Sequence, residues 1–145
     1  MSDLAAGALA RHGLLRDIAA AENLLAQVAQ GGLETVRIVF PDPHGILRGK
    51  NIVASALASA FKSGIGVPST LLLKDTSHRT VFPVWSDDPG IASGPMQGAG
   101  DVVLVPDPAT FRMLPWSPHS AILLADVVFR DGKPIPFAPR TVLAR

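Results

Sequence analysis

The chain has no cysteine, which excludes a disulfide framework and a thiolate metal site and is compatible with a reducing compartment. Glutamate is almost as scarce. Only Glu22 and Glu34 occur, so a magnesium or manganese site built on converging carboxylates has little to draw on. Charged residues are 17% of the 145, lean against the roughly 25% of ordinary soluble domains. The balance of 13 Lys+Arg to 12 Asp+Glu leaves a formal +1. With no block of like charge there is no charged tail and no footprint for nucleic acid. No apolar run approaches the ~18 residues of a membrane span. The start, Met1-Ser2-Asp3, lacks the basic flank and apolar stretch of a secretory signal. The expectation is a soluble, cytoplasmic protein with neither a nucleic-acid nor a membrane partner.

Familiar catalytic patterns are missing too. A phosphate cradle needs GxxxxGK[ST] or GxGxxG between a strand and a helix, whereas Gly90, Gly94, Gly98 and Gly100 lie among Pro and Ser. No GxSxG marks a nucleophile elbow. The histidines His12, His44, His78 and His119 show no i, i+3 or i, i+4 pairing, so each reads as a loop histidine rather than a ligand.

What is present is a mixed α and β pattern in a chain the size of one domain. Ile18, Ala21, Leu25 and Val28 recur at helical spacing, with Asp17 placed to cap the start and Gly31-Gly32 to stop the end. Thr35 to Phe40 alternates, Pro41-Asp42-Pro43-His44-Gly45 breaks the run, and Ile46 to Val53 completes a predicted hairpin. On its second strand Arg48 and Lys50 share a face with Ile46 and Ile52, as a solvated edge or a partner-facing pair. A second helix is predicted over Ser55 to Lys62, ended by Gly64. Thr70 to Lys74 and Arg79 to Val84 flank the turn composition Asp75-Thr76-Ser77-His78, which predicts another hairpin. Ser86 to Gly100 reads as a long surface loop. Asp101 to Val105 and Ser120 to Phe129 read as strands, and Asp131-Gly132 as a turn leading to Lys133 to Phe137.

These elements predict an α+β fold: a sheet built from hairpins with a helix packed on one face, preceded by an amino-terminal helix. The segments divide as 1–33 helical, 34–137 the sheet domain, and 138–145 the start of a further domain. Pro139 suits the first position of a helix, and the chain stops within that element at Arg145. The expectation is therefore that the natural polypeptide continues.

Three ordered patterns point further. Val39-Phe40-Pro41-Asp42-Pro43-His44-Gly45-Ile46-Leu47-Arg48-Gly49-Lys50 fits V-x-x-D-x-x-G-x-x-R-G-K. The run from Gly100 to Trp116 fits G-D-x-x-L-x-P-D-x-x-T-x-R-x-L-P-W, and Asp131-Gly132-Lys133 leads into Pro136-Phe137-Ala138-Pro139-Arg140. On these residues the chain resembles the amino-terminal β-grasp domain of the glutamine synthetase family, especially its γ-glutamyl-polyamine synthetase branch. Each residue also has a plain structural reading. Asp42 and Gly45 suit a turn, Asp107 caps locally between Pro106 and Pro108, and Trp116 supplies an anchor under the sheet.

The resemblance implies more than the residues show, beginning with a β-grasp-like mixed sheet over 34–137. In that family ATP activates the glutamate γ-carboxylate, ammonia or an amine attacks, and the site lies between the catalytic domain of one subunit and the β-grasp domain of its neighbour. ATP and magnesium or manganese are implied for a full-length protein and not for this chain. The partners implied are the chain's own catalytic domain and neighbouring subunits of a homo-oligomer. The small domain supplies an aspartate that holds and deprotonates the amine, and Asp75 is the matching position, although Thr76 stands where the family usually has glycine. The alternative is a free-standing β-grasp module that binds a protein or small ligand without ligase chemistry.

Overall fold

A computed structural model describes residues 3–88, 90 and 94–145. After a short helix α1 (Ala8–Arg11), the periodic stretch forms α2 (Ile18–Ala29), and Asp17 Oδ1 accepts the Ala20 amide at 2.8 Å. That bond satisfies one of the first-turn amides that a helix leaves without a partner. The first hairpin is β1 (Thr35–Pro41) and β2 (Leu47–Val53). A 3-10 turn then leads into α3 (Leu57–Ser63), closed by Gly64 at φ 72. That left-handed conformation, with the nearest Val103 methyl 2.4 Å from a hypothetical Cβ, admits only glycine at this cap.

The sheet continues with β3 (Ile65–Pro68), β4 (Asp101–Pro106), β5 (Arg112–Leu114) and β6 (Ser117–Phe129), and a last helix α4 spans Pro139–Leu143. The strand order is β2-β1-β6-β4-β3, with β5 also paired to β6. β1 runs parallel to β6, while the other pairs are antiparallel. The long β6 spends its first half beside β1 and β5 and its second half beside β4. β4 and β5 are in effect one partner strand interrupted by a 3-10 turn at Pro108–Thr110. There Asp107 N donates to Leu124 O, and the Leu124 amide donates to Thr110 Oγ1, so the interruption leaves no orphan ladder group. The result is the mixed α+β sheet expected of a β-grasp-like domain.

Period-2 alternation sets the core. Val36, Ile38 and Phe40 of β1, Val102 and Leu104 of β4, and Ala121, Leu123, Ala125 and Val127 of β6 are buried with Leu57, Ala60 and Phe61 of α3. Leu4, Leu9, Leu15, Ala21 and Leu24 join the same cluster, so the amino-terminal segment packs into this core.

The structure corrects three expectations. The predicted hairpin over residues 70–84 is not a ladder. Ser69–Leu73 is a 3-10 turn, and only the single bridge Lys74↔Thr80 joins the two halves. The reason is that Ser69, Leu72 and Leu73 are all buried, and the adjacent pair Leu72-Leu73 breaks the alternation a half-buried strand needs. Similarly, 133–137 meets β6 only through the bridge Val128↔Pro134. Trp116 is no anchor: it sits at the tip between Leu114 and Ser117, 74% exposed, and Leu114 is buried in its place. Of the predicted Ser86–Gly100 loop, Pro89 and 91–93 lie outside the described residues. The rest is held by buried Met96 and by Gly98 N donating to Val84 O.

The first hairpin also has a tight spot. A Cβ on Gly49 would lie 2.0 Å from Ile38 O and 2.8 Å from Val39 Cα. Both are backbone atoms that cannot swing aside, so Gly49→Ala is expected to lower stability by roughly 1–3 kcal/mol or more. Urea titration of the variant beside the parent checks this, and an unchanged midpoint would contradict it.

Candidate functional site

Asp75 begins the turn that precedes Arg79, and almost every polar group it owns is committed within that turn. Its Oδ1 accepts the amides of Ser77 at 2.9 Å and Arg79 at 2.8 Å. Its own amide donates to Arg79 O at 2.8 Å, and its carbonyl accepts the His78 amide at 3.1 Å. This is the arrangement by which a short acidic side chain mimics backbone and fixes a turn. Oδ2 accepts no hydrogen bond among the described residues, and Asp75 is half-buried. The site therefore offers one carboxylate oxygen in a fixed direction.

The turn is tied from below by the first hairpin, a link the sequence reading missed. Arg48 was expected on a solvated or partner-facing edge with Lys50, but its side chain is only 7% exposed and lies against Asp42, which is 0% exposed. Arg48 Nε donates to Asp42 Oδ2 at 2.7 Å, Nη2 donates to Asp75 O at 3.0 Å, and Nη1 meets His78 Nδ1. Asp42 Oδ1 accepts the amides of His44 at 2.8 Å and Ile46 at 2.9 Å, which shapes the turn through Gly45 at φ 80. Burial alone would raise the Asp42 carboxyl, but the bond from Arg48 and the Ile46 and His44 amides outweigh it and hold the group below the usual carboxylate range. His78 pairs with a residue 30 positions away, and no local pattern announces a contact of that range. Lys50 Nζ reaches Gly66 O at 2.8 Å, so the sheet curls enough to bring its two outer strands within a side chain's length.

The other two patterns meet at Arg140. It donates to Asp107 Oδ2 at 2.7 Å and to Asp126 Oδ1 at 2.8 Å. Burial opposes its charge, yet Asp126 and then Asp107 raise its affinity for the proton, so it stays a cation. Arg16 adds a looser contact to Asp126 at 3.3 Å. Asp107 also caps the 3-10 turn by accepting the Ala109 amide, as its placement between two prolines predicts. This cluster welds α4 to the sheet and presents no open acceptor comparable to Asp75.

His119 Nδ1 meets Gly32 O, and among the described residues no group of three or more His, Asp or Glu could hold a metal ion. A separate groove between α2 and residues 54–58 is lined mainly by carbon, from Leu25, Val28, Leu33, Ala54 and Ala58. Glu22, Asn23 and Ser55 are the polar residues on its wall.

Comparison with known proteins bears on the chain and its fold. No family model matches the chain. It is 34% identical over 134 residues to a γ-glutamylanilide synthase of Acinetobacter, covering 87% of this chain and 26% of that protein. It is 38% identical over 125 residues to a γ-glutamylethanolamide synthetase of Streptomyces coelicolor, covering 86% and 26%. The chain is related to the amino-terminal domain of the glutamine synthetase family. It spans about a quarter of the length of these relatives. Among solved structures, a GmaS complex with ADP superposes with a TM-score of 0.61 at 29% identity, covering 83% of this chain and 24% of that one. No helix among the described residues is long and apolar enough to cross a membrane.

Proposed function

We propose that this chain is the amino-terminal part of a cytoplasmic, ATP-dependent ligase that joins glutamate to ammonia or an amine. It forms one wall of a site completed by the catalytic domain of a neighbouring subunit in a homo-oligomer. The observation that carries the reading is Asp75: Oδ1 is saturated by the turn while Oδ2 is left open in a fixed direction. A carboxylate so held stabilises an incoming ammonium group and takes its proton, leaving the nitrogen lone pair free to attack an activated carboxyl. The anilide and ethanolamide in the relatives' names favour an amine larger than ammonia, with a polyamine in the same class.

Only two glutamates occur in the chain, which leaves little for a magnesium or manganese site built on converging carboxylates. ATP and the phosphate chemistry are accordingly assigned to another part of the full-length protein, with this chain inactive alone.

The test is to supply the chain and the full-length protein, separately, with glutamate, ATP, magnesium and a panel of amines. The chain is expected to give no γ-glutamyl product above a heat-killed control, and the full-length protein to give amine-dependent product. Turnover by the chain alone overturns the division of labour. A full-length protein inert with every amine overturns the ligase reading.

A further inference from the structure

Arg48 holds the Asp75 turn through contacts that differ in kind. The bond from Nη2 to Asp75 O joins two groups whose roles never change. The contact of Nη1 with His78 Nδ1 does change, because a guanidinium has donors only and the facing ring nitrogen must be an unprotonated acceptor. His78 also carries the one positive φ found at a non-glycine position among the described residues, 66°. Histidine is among the few non-glycine residues that adopt this region readily, and His78 is exposed apart from its contact with Arg48. The charged groups joined to it by hydrogen bonds or lying in its own turn can be named. Arg48 faces it from β2, with Asp42 behind Arg48 on the hairpin turn, and Asp75 and Arg79 lie in its own turn after Lys74. Of these, Asp42 is already committed to Arg48 Nε and two amides, and Asp75 Oδ1 to two amides.

We propose that Arg48 is a positioning residue for Asp75, and that His78 makes this positioning depend on its own protonation. With the facing nitrogen neutral, Arg48 clamps both ends of the turn, at Asp75 O and at His78. When that nitrogen takes a proton, Nη1 loses its acceptor and confronts a second cation across a contact made in a partly buried setting. The bond to Asp75 O is then all that remains of Arg48's hold on the turn, so the turn, with the Oδ2 it carries, is held less firmly against the hairpin. The consequence for amine capture rests on the function proposed above, whereas the latch itself rests only on this geometry.

The test is hydrogen exchange of the intact protein, followed by mass spectrometry on a peptide covering residues 74–82 and corrected with an unstructured control. Between about pH 8 and about pH 5.5, the range in which histidine changes charge, protection of this peptide in the parent is expected to fall by about tenfold or more. That is the scale of losing one hydrogen bond to a charged group. His78→Asn supplies a side-chain carbonyl that accepts from Arg48 at every pH and tolerates a positive φ. Its protection is expected to stay level over the same range. The amine KM of the parent should rise with falling pH, and that of His78→Asn should show no such slope. Level protection in the parent, or the same fall in both proteins, overturns the latch. An Asp75→Asn enzyme with unaltered amine kinetics would overturn the amine site instead, leaving the exchange result to decide the latch alone.

Discussion

Asp42→Ala is expected to destabilise the domain by roughly 3–5 kcal/mol, because removing one partner of a buried ion pair leaves the other uncompensated. Arg48 would keep Asp75 O and His78 as acceptors but lose its only carboxylate among the described residues. The amides of His44 and Ile46 would lose theirs as well. Against a typical total of about 5–15 kcal/mol, that is enough to leave a large unfolded fraction. The double variant Asp42→Ala/Arg48→Met removes both charges and is expected to recover part of the loss, since apolar replacement of a whole buried pair is often tolerated. The pH dependence has a definite sign. The folded Asp42 carboxyl sits below its ordinary value, so its contribution is complete above the unfolded value of about 3.9 and disappears as pH falls through the lower folded value. The parent should therefore lose stability to acid below about pH 4, and Asp42→Asn should lack that component. Urea midpoints at neutral and acid pH measure both effects, and identical acid slopes in the two proteins would remove Asp42 from the account.

What sequence could and could not show follows from the range of the interactions. The cap at Asp17, the stop at Gly64 and the turn at Gly45 are each set by residues within one helical turn or one hairpin, and all three appear where periodicity places them. The parallel pairing of β1 with β6 depends on residues some 85 positions apart, such as Thr35 and Ser120, and only the family resemblance implied a sheet of that kind. The 70–84 segment misled because Thr70, Thr80, Val81 and Phe82 satisfy β propensity and its turn residues are genuine, while the adjacent buried pair Leu72-Leu73 suits a 3-10 turn instead. Asp75 could be placed on a turn by composition. That its carbonyl is gripped by Arg48 could not, because Asp42, Arg48 and His78 are joined only after β2 and the 75–79 turn have packed together.

Asp75→Asn separates the proposed amine role from a structural one. In the isolated chain the variant keeps an oxygen that can accept the Ser77 and Arg79 amides in place of Oδ1, and Arg48 still grips the carbonyl of residue 75. Stability is therefore expected to stay within about 0.5 kcal/mol of the parent, as for most substitutions at exposed or half-exposed positions. In the full-length enzyme the same change removes the negative charge that would hold an ammonium group and the base that would take its proton. The amide that replaces it is neutral and cannot act as that base. Amine-dependent turnover is then expected to fall on the order of 10²-fold, the usual scale of a positioned general base. The loss should appear in kcat/KM for the amine with ATP binding unaffected, because the carboxylate removed has no donor to offer a phosphate. A structural role gives the opposite pattern: a lowered melting temperature, and a fall in activity proportional to the folded protein lost, with the amine KM unmoved. Melting curves of the variant chain set beside amine kinetics of the variant enzyme distinguish the two, and unaltered amine kinetics in a folded enzyme would take Asp75 out of the site.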